Sequence, residues 1–346
     1  MARIDVTVRG AGAFGLACAW ACQLRGATVR VVDPFGVAAG ASGGVVGALA
    51  PHVPENWNEK KAFQLDSLLM AEGFWAGVEA VSGLSSGYGR TGRLQPLADA
   101  QAVELARGRA GTAAELWQGR ALWEVIEGSG ADWEPVSPTG LLVRDTLSAR
   151  IHPQQACAAL AGALVAKGAQ IVAEAPDEGV VIWATGAAGL EEMSRSAGRQ
   201  VGVPIKGQAA VLAHDPGAGV AQLFAGGVHV VPHADGTVAI GSTTERDFDG
   251  LGCDAQLEAV IAAARAAVPA LEGAQVLARW AGLRPRARSR APMLGAWPGR
   301  PGQFIANGGF KIGFGMAPKV GAVMADLVLE GDGAGIPDGF RAEALF

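Results

Sequence analysis

Three glycines and an acid open the chemistry of this chain. Gly10, Gly12 and Gly15 stand in the segment Gly10-Ala11-Gly12-Ala13-Phe14-Gly15, and Asp33, followed by Pro34, comes about twenty residues later, the spacing of a dinucleotide fingerprint. Gly10 permits a tight turn, Gly12 lets the backbone approach a diphosphate, and Gly15 lets the next helix pack closely on its strand. The helix N-terminus then offers free N–H groups and a partial positive charge to the phosphates. Asp33 would accept a hydrogen bond from a ribose hydroxyl and repel a 2′-phosphate. The flanking elements agree: Asp5 to Arg9 alternates as a strand, Leu16 to Arg25 reads as a helix, and Thr28 to Val32 is β-branched and ends at the acid.

A second candidate segment follows. Ala38 to Ala50 contains almost no large side chains and ends in Pro51-His52-Val53-Pro54. Its smallness suits a strip of backbone lying against a flat or phosphate-bearing ligand; an ordinary flexible loop has the same composition. Ala41, Ser42, Gly47, Ala48 and Leu49 are its candidate contact residues.

Composition bounds the alternatives. The 346 residues favour two domains, and with 50% hydrophobic and 18% charged residues a large buried core is expected. A net charge of −5 gives no general electrostatic reason to bind nucleic acid or an anionic membrane. No apolar run is long enough to cross a bilayer, and no basic region followed by an apolar stretch stands at the N-terminus. The expectation is a soluble, cytoplasmic protein. Cys18, Cys22, Cys157 and Cys253 do not make a metal set and are expected to be buried, reduced thiols.

Along the rest of the chain, Lys60–Val81, Asp99–Gly111, Leu116–Ile126, Pro153–Lys167, Ala255–Val268 and Ala317–Leu329 read as helices. Thr91–Leu97, Gly140–Arg144, Ala169–Ala173, Val180–Ala184 and Gln303–Ala306 read as strands. Val172 and Ala184-Thr185-Gly186 close two of these strands. Gln208–Ala213, Val228–Pro232 and Thr237–Ser242 alternate strongly, with Ala234-Asp235-Gly236 as a hairpin turn. Such an order places βαβ units at the start, middle and end, and implies a discontinuous nucleotide domain with a second domain inserted twice.

Together these segments resemble the FAD-dependent amine and amino-acid oxidase family that includes glycine oxidase, D-amino-acid oxidase and sarcosine oxidase. The resemblance runs over almost the whole chain. Besides the glycine loop with Asp33 and the run Ala41–Pro51, it uses Ile151-His152-Pro153, Trp183–Ala187, Pro204–Gln208 and Val231-Pro232 through Gly241-Ser242-Thr243. It ends with Trp280-Ala281-Gly282-Leu283-Arg284-Pro285 and Gly308-Gly309-Phe310-Lys311-Ile312-Gly313. It implies an α/β fold: a discontinuous Rossmann-like FAD-binding domain (1–82, 145–204 and 286–346) and an inserted α+β substrate domain on an antiparallel sheet (83–144 and 205–285). It also implies FAD rather than NAD.

The resemblance further implies that Arg284 forks onto a substrate carboxylate, a task suited to a planar guanidinium. Lys311 falls where relatives carry an arginine near the flavin and would place positive charge at its N1–O2 edge. His229 stands where relatives often have a pocket tyrosine, and His52 follows the Ala-Pro turn near the flavin. Each has an alternative as a structural or surface residue. Two departures matter. The β meander that relatives insert between Ala173 and Val180 is replaced by a few residues. Arg286-Ala287-Arg288-Ser289 contains no cysteine to tether flavin, so FAD should be held non-covalently.

The implied reaction is oxidation of a small amine or amino acid to its imine, with oxygen or another acceptor taking the electrons. Three alternatives stay open: a dehydrogenase using a non-oxygen acceptor, an enzyme acting on a modified RNA base through the Arg279–Arg290 cluster, and a non-catalytic FAD-binding protein.

Overall fold

The computed structural model describes residues 3–217 and 219–346. Residues 1 and 2 of the expected segment 1–82, and Ala218 of the segment 205–285, lie outside the described residues.

The first sheet collects strands from the start, middle and end of the chain. In chain order its neighbourhood contains β1 (Val6–Arg9), α1 (Ala13–Leu24), β2 (Val29–Val32), the short β3 (Ala48–Leu49) and α2 (Glu59–Ser82). Next come β4 (Arg93–Pro96), α3 (Ala100–Trp117), β5 (Trp123–Glu127), β6 (Leu141–Asp145), β7 (Ala149–Arg150), α4 (Pro153–Ala166), β8 (Gln170–Val172) and β9 (Val180–Trp183). They are followed by α5 (Gly186–Ala197), β10 (Gly202–Leu212), β11 (Gln222–Ala225), β12 (Val228–Pro232), β13 (Val238–Gly241) and α6 (Ala255–Ala267). The last are β14 (Val276–Ala287), β15 (Met293–Ala296), β16 (Gln303–Asn307) and α7 (Gly313–Glu330).

Six strands form the first sheet in the order β15-β16-β9-β1-β2-β8, and only the β15–β16 pair is antiparallel. Helices cover it, with α1 packed against α7 and α4. All four residues of β2 are buried, as expected where a parallel sheet is covered on both faces. Between β8 and β9 the chain crosses from Val172 to Val180 without a strand, as the shortened segment implies.

Eight strands form the second sheet in the order β14-β10-β13-β12-β11-β4-β6-β5. The expectation of an antiparallel sheet needs one correction, because β4 and β11 run parallel. These two strands are far apart in the chain, so no tight hairpin fixes their relative direction. The core of this sheet forms under α6, where Leu257, Ile261 and Ala264 meet Leu212, Leu223, Val230 and Ile240.

Three further expectations need correction. Leu116–Ile126 is not a helix: α3 runs on to Trp117, then Gln118 and Gly119 turn left-handed at φ +50° and +73°. Trp123–Glu127 then pairs with β6, and the Trp123 indole N–H reaches back to the Ala106 carbonyl at 3.1 Å. The last helix starts at Gly313, ahead of Ala317, and carries Pro318 in its interior. Cys253 is exposed in the loop before α6, whereas Cys18, Cys22 and Cys157 are buried. No helix among the described residues is long and apolar enough to cross a membrane.

Candidate active site

The glycine loop sits at the C-terminal edge of the parallel sheet, where an open α/β sheet offers its crevice. Gly10 has φ +111°, and a Cβ there would lie 2.4 Å from the Ala184 carbonyl oxygen. At Gly15 a Cβ would lie 1.9 Å from the Gly10 oxygen, so both glycines are fixed by close backbone approach. At Gly12 the nearest atom to a built Cβ is Ser42 Oγ, at 3.0 Å. Ser42 Oγ accepts the Ala13 N–H at 2.9 Å, and Asp33 Oδ2 accepts that of Ala11 at 2.9 Å. The N–H groups of Gly12, Phe14 and Gly15 have no acceptor among the described residues. Three undonated N–H groups at the start of a largely buried helix are what a diphosphate satisfies.

The other expected contact residues assemble on the same edge. Asp33 N–H donates to Val172 O at 3.1 Å, which joins the ends of β2 and β8. Pro34 follows on the exposed side. Ala184-Thr185-Gly186 follows β9 beside Gly10. The closing segment stacks on the opening one: a Cβ at Gly309 would lie 3.0 Å from the Phe14 ring. Phe310, at φ +43°, donates its N–H to Pro285 O at 3.0 Å, and Ile312 donates to Gly309 O at 2.9 Å before α7 begins at Gly313. The run containing Ala41, Ser42, Gly47, Ala48 and Leu49 forms a wall toward the second sheet. A Cβ at Gly47 would lie 1.8 Å from the Ile151 carbonyl oxygen, and one at Gly44 would lie 3.5 Å from the Trp280 ring.

Arg284 lies on β14 beside Ile205 of β10. Trp280, Gly282, Arg284 and Arg286 alternate onto one face of that strand. The Arg284 guanidinium lies on the backbone of Gly207, where a Cβ would stand 1.7 Å from Nη1. Nη1 donates to the Thr243 carbonyl oxygen at 3.1 Å. Burial lowers its pKa to about 10, against the pull of Glu245, so it stays charged at neutral pH.

A polar network holds this seat; Lys206, Gln208 and Thr243 fall within motifs of the resemblance, but Glu245, Asp254 and the contacts among them were not legible from residue types. Thr243 Oγ donates to Glu245, and the Gln208 backbone N–H donates to Thr243 Oγ at 2.8 Å. Gln208 Nε2 donates to Glu245 at 3.0 Å and to Asp254 at 2.8 Å. Lys206, only 2% exposed, bridges Glu245 at 3.3 Å and Asp254 at 2.9 Å. Burial pushes the Glu245 carboxyl up, but Thr243, Gln208 and Lys206 outweigh it and hold it below its usual value.

Lys311 and His229 join Arg284. Partial burial first, and then the Arg284 charge, lower the Lys311 pKa. His229 is pushed down to about 4 by burial and then by Arg93 and Lys311, so its ring is neutral at pH 7. Its ring centre stands 4.8 Å from that of Phe224, and its buried Nδ1 has no hydrogen-bond partner among the described residues. His52 donates its backbone N–H to Gln64 Oε1 at 2.8 Å, and its ring Nδ1 meets the same oxygen. It faces a cavity of about 680 Å³ that Phe310 and Ile312 also line.

His152, His233 and Asp235 form a separate cluster whose ligand atoms lie within 4.8 Å of one another. His152 Nδ1 accepts the Gln155 N–H as the cap of α4, at 3.4 Å. That leaves the proton on Nε2, so an N–H rather than a lone pair faces Asp235.

A family model described as FAD dependent oxidoreductase matches residues 5–327. The chain is similar to a glycine oxidase of Pseudomonas putida, 32% identical over 139 residues, which cover 40% of this chain and 38% of that one. The chain thus spans less than half the length of that relative in the match. Among solved structures it resembles a glycine oxidase from Geobacillus kaustophilus, with a TM-score of 0.82 and 21% identity over 95% of both chains. It also resembles an iminodiacetate oxidase from Chelativorans sp. BNC1, with a TM-score of 0.83 and 21% identity over 97% of this chain and 98% of the other. A match over nearly the whole chain, on a Rossmann-like sheet with its glycine loop intact, makes this chain a member of the FAD-dependent oxidoreductase family.

Proposed function

We propose that this protein oxidises a small amino acid or amine to its imine, using FAD held without a covalent bond. The observation that carries the reading is the seat of Arg284 on Gly207, next to the Gly308–Gly313 segment whose Phe310 N–H donates to Pro285 O at 3.0 Å and whose Gly309 packs against Phe14 of the glycine loop.

The residues fit FAD. The free N–H groups of Gly12, Phe14 and Gly15 suit its diphosphate, and Asp33 and Val172 suit its adenosine end. The small-residue wall from Ala41 to Leu49 and the segment Gly309–Gly313 suit its ring system. Neither β14 nor the segment that follows it carries a cysteine, which supports non-covalent holding. Segments 1–82, 145–204 and 286–346 would form the FAD-binding domain, and 83–144 with 205–285 the substrate domain.

When bound, the flavin supplies the two-electron acceptor; the protein's own groups position the substrate. Arg284 presents guanidinium N–H groups to the α-carboxylate, because only Nη1 is engaged, by Thr243 O. The positive charges of Arg284 and Lys311 disfavour an ammonium beside them, so the amine is neutral when its Cα–H leaves as hydride. His229, neutral at pH 7, adds no further positive charge beside Lys311. The imine product takes up water to give the carbonyl compound and ammonia or an amine. The electrons taken up by bound flavin would pass to oxygen or another acceptor.

The test is anaerobic mixing of the yellow protein with glycine, sarcosine and D-amino acids. Bleaching of the flavin band by at least one of them is expected; no bleaching by any would overturn the substrate class.

A further inference from the structure

The sheet face under the short crossing from Val172 to Val180 is polar, although a parallel sheet covered on both faces is normally apolar. Val6, Val8, Val29 and Val31 belong to the helix-covered core. The alternate positions are Thr7 and Arg9 on β1 and Arg30 on β2, with Arg30 opposite Thr7 and Gln170 of β8 opposite Arg30. Two cations on that face require partners, and consecutive residues of the crossing supply both. Arg9 Nε donates to Asp177 Oδ1 at 2.7 Å, and its Nη2 to the Ala175 carbonyl oxygen at 2.9 Å. Arg30 Nη1 donates to Glu178 Oε1 at 2.6 Å, and its Nε to Gln170 Oε1 at 2.9 Å. Between the two pairs, the Glu178 backbone N–H donates to Thr7 Oγ1 at 3.1 Å, and that hydroxyl donates to the Glu178 carbonyl oxygen at 2.8 Å. Residues 173–179 form neither helix nor strand, so these contacts fix them to the sheet.

The same contacts reach the residues that suit the adenosine end of FAD. Arg9 immediately precedes Gly10, and Ala173 immediately follows Val172, whose carbonyl accepts the Asp33 N–H at 3.1 Å. Asp33 in turn accepts the Ala11 N–H at 2.9 Å. The crossing, the end of β8, Asp33 and the glycine loop therefore close into one ring of contacts, with the Arg9–Asp177 pair as its outer link. Both ion pairs touch solvent: the side chains are 24% and 36% exposed for Arg9 and Asp177, and 11% and 42% for Arg30 and Glu178. Pairs so placed weaken as salt screens them.

We propose that residues 173–179 are an ionic strap that sets how fast FAD leaves the protein. Arg9 and Arg30 are positioning residues, acting through Asp177 and Glu178 on Val172 and the glycine loop, and FAD release quickens as salt rises. The inference rests on the placement of adenosine at Asp33 and Val172 proposed above.

The experiment follows release of FAD from the yellow holoprotein as the rise in flavin fluorescence after dilution, with circular dichroism recorded in parallel. Wild type is compared with Arg9→Gln, Arg9→Lys, Glu174→Gln and the double variant Asp177→Asn with Glu178→Gln. Each is measured at an ionic strength of about 0.01 M and about 1 M, between which the screening length falls from about 30 Å to about 3 Å. At low salt, release is expected to quicken about two- to fivefold for each ion pair lost. Arg9→Lys should recover part of the Arg9→Gln effect. Glu174→Gln, which changes an exposed acid of the same segment that has no ion pair among the described residues, should match wild type. At high salt the double variant and wild type should converge, and dichroism should hold steady while FAD leaves. A double variant that releases FAD at the wild-type rate would overturn the inference and leave the FAD reading standing. So would a rate ratio that is the same at both salts, or a loss of dichroism in step with release, since the contacts would then serve only the fold. A protein that is colourless and takes up no FAD would remove the FAD reading and the inference with it.

Discussion

Gly207 and Arg284 fit as seat and occupant: a Cβ on Gly207 would lie 1.7 Å from Arg284 Nη1 and 2.2 Å from the guanidinium carbon. The strands pair around them, Lys206 with Leu283 and Gly207 with Gly282, so the glycine lies beneath a side chain rooted two residues away on the neighbouring strand. Gly207→Ala should tilt the guanidinium off the carboxylate and leave the FAD edge of the other sheet untouched. The expected result is a KM for the amino acid raised about tenfold or more, with yellow protein still recovered. Steady-state kinetics and the visible spectrum check it.

Arg284 itself should be worth more. Arg284→Ala removes both arms of a charge-assisted fork, so kcat/KM should fall about a hundredfold or more with flavin content unchanged. Arg284→Lys keeps a charge but loses the planar fork, and should recover only part of the loss. A lysine variant as poor as alanine would point to a structural arginine.

Lys206 stands behind the seat. With Lys206→Met, Glu245 keeps its charge in a buried position without its cation. Thermal unfolding should shift to lower temperature, and Lys206→Met with Glu245→Gln should recover part of the shift. A double variant no more stable than the single one would mean that the Lys206–Glu245 pair is not the source of the loss.

The histidines set an acid limit on stability. His229 and His233 are both pushed from 6.5 to about 4, chiefly by burial. In the unfolded chain they regain ordinary values, so between about pH 6.5 and pH 4 the unfolded state binds more protons. Their stabilising contribution is therefore whole above that window and is lost as pH falls through it. The unfolding temperature measured from pH 7 to pH 4.5 should fall, and His229→Gln should flatten the slope; an unchanged slope would place His229 outside the window.

Much of the glycine-loop edge was legible because a dinucleotide site needs particular residue types close together in sequence. Gly10, Gly12, Gly15 and Asp33 lie in one βαβ unit, and each reports a local backbone demand. Arg284 could be named, but its support could not. Lys206 and Gln208 lie on β10, and Thr243 and Glu245 in the segment after β13, so no spacing within one segment betrays such a network. Strand β14 was hidden for a different reason. It is the edge strand of its sheet, and its residues Leu277-Ala278-Arg279 are exposed, so Val276–Ala287 lacks the apolar alternation that marks a half-buried strand. The misread helix at Leu116–Ile126 came from apolar residues that fit a helical period; the two left-handed residues after Trp117 override it. The cavity that His52 faces is legible only in three dimensions, since its lining residues Lys60, Arg246 and Arg290 belong to three separated segments.

The central claim, that this chain grips an amino acid at Arg284 and removes hydride from it, is tested most directly by anaerobic rapid mixing. Wild type and Arg284→Ala, both loaded with FAD, are mixed with glycine, sarcosine, D-alanine and iminodiacetate while the flavin band is followed. The account predicts bleaching of the wild type by at least one of these amines and bleaching at least about a hundredfold slower in the variant at the same concentration. Equal rates in the two proteins, or a wild type that no amine bleaches although dithionite does, would contradict it.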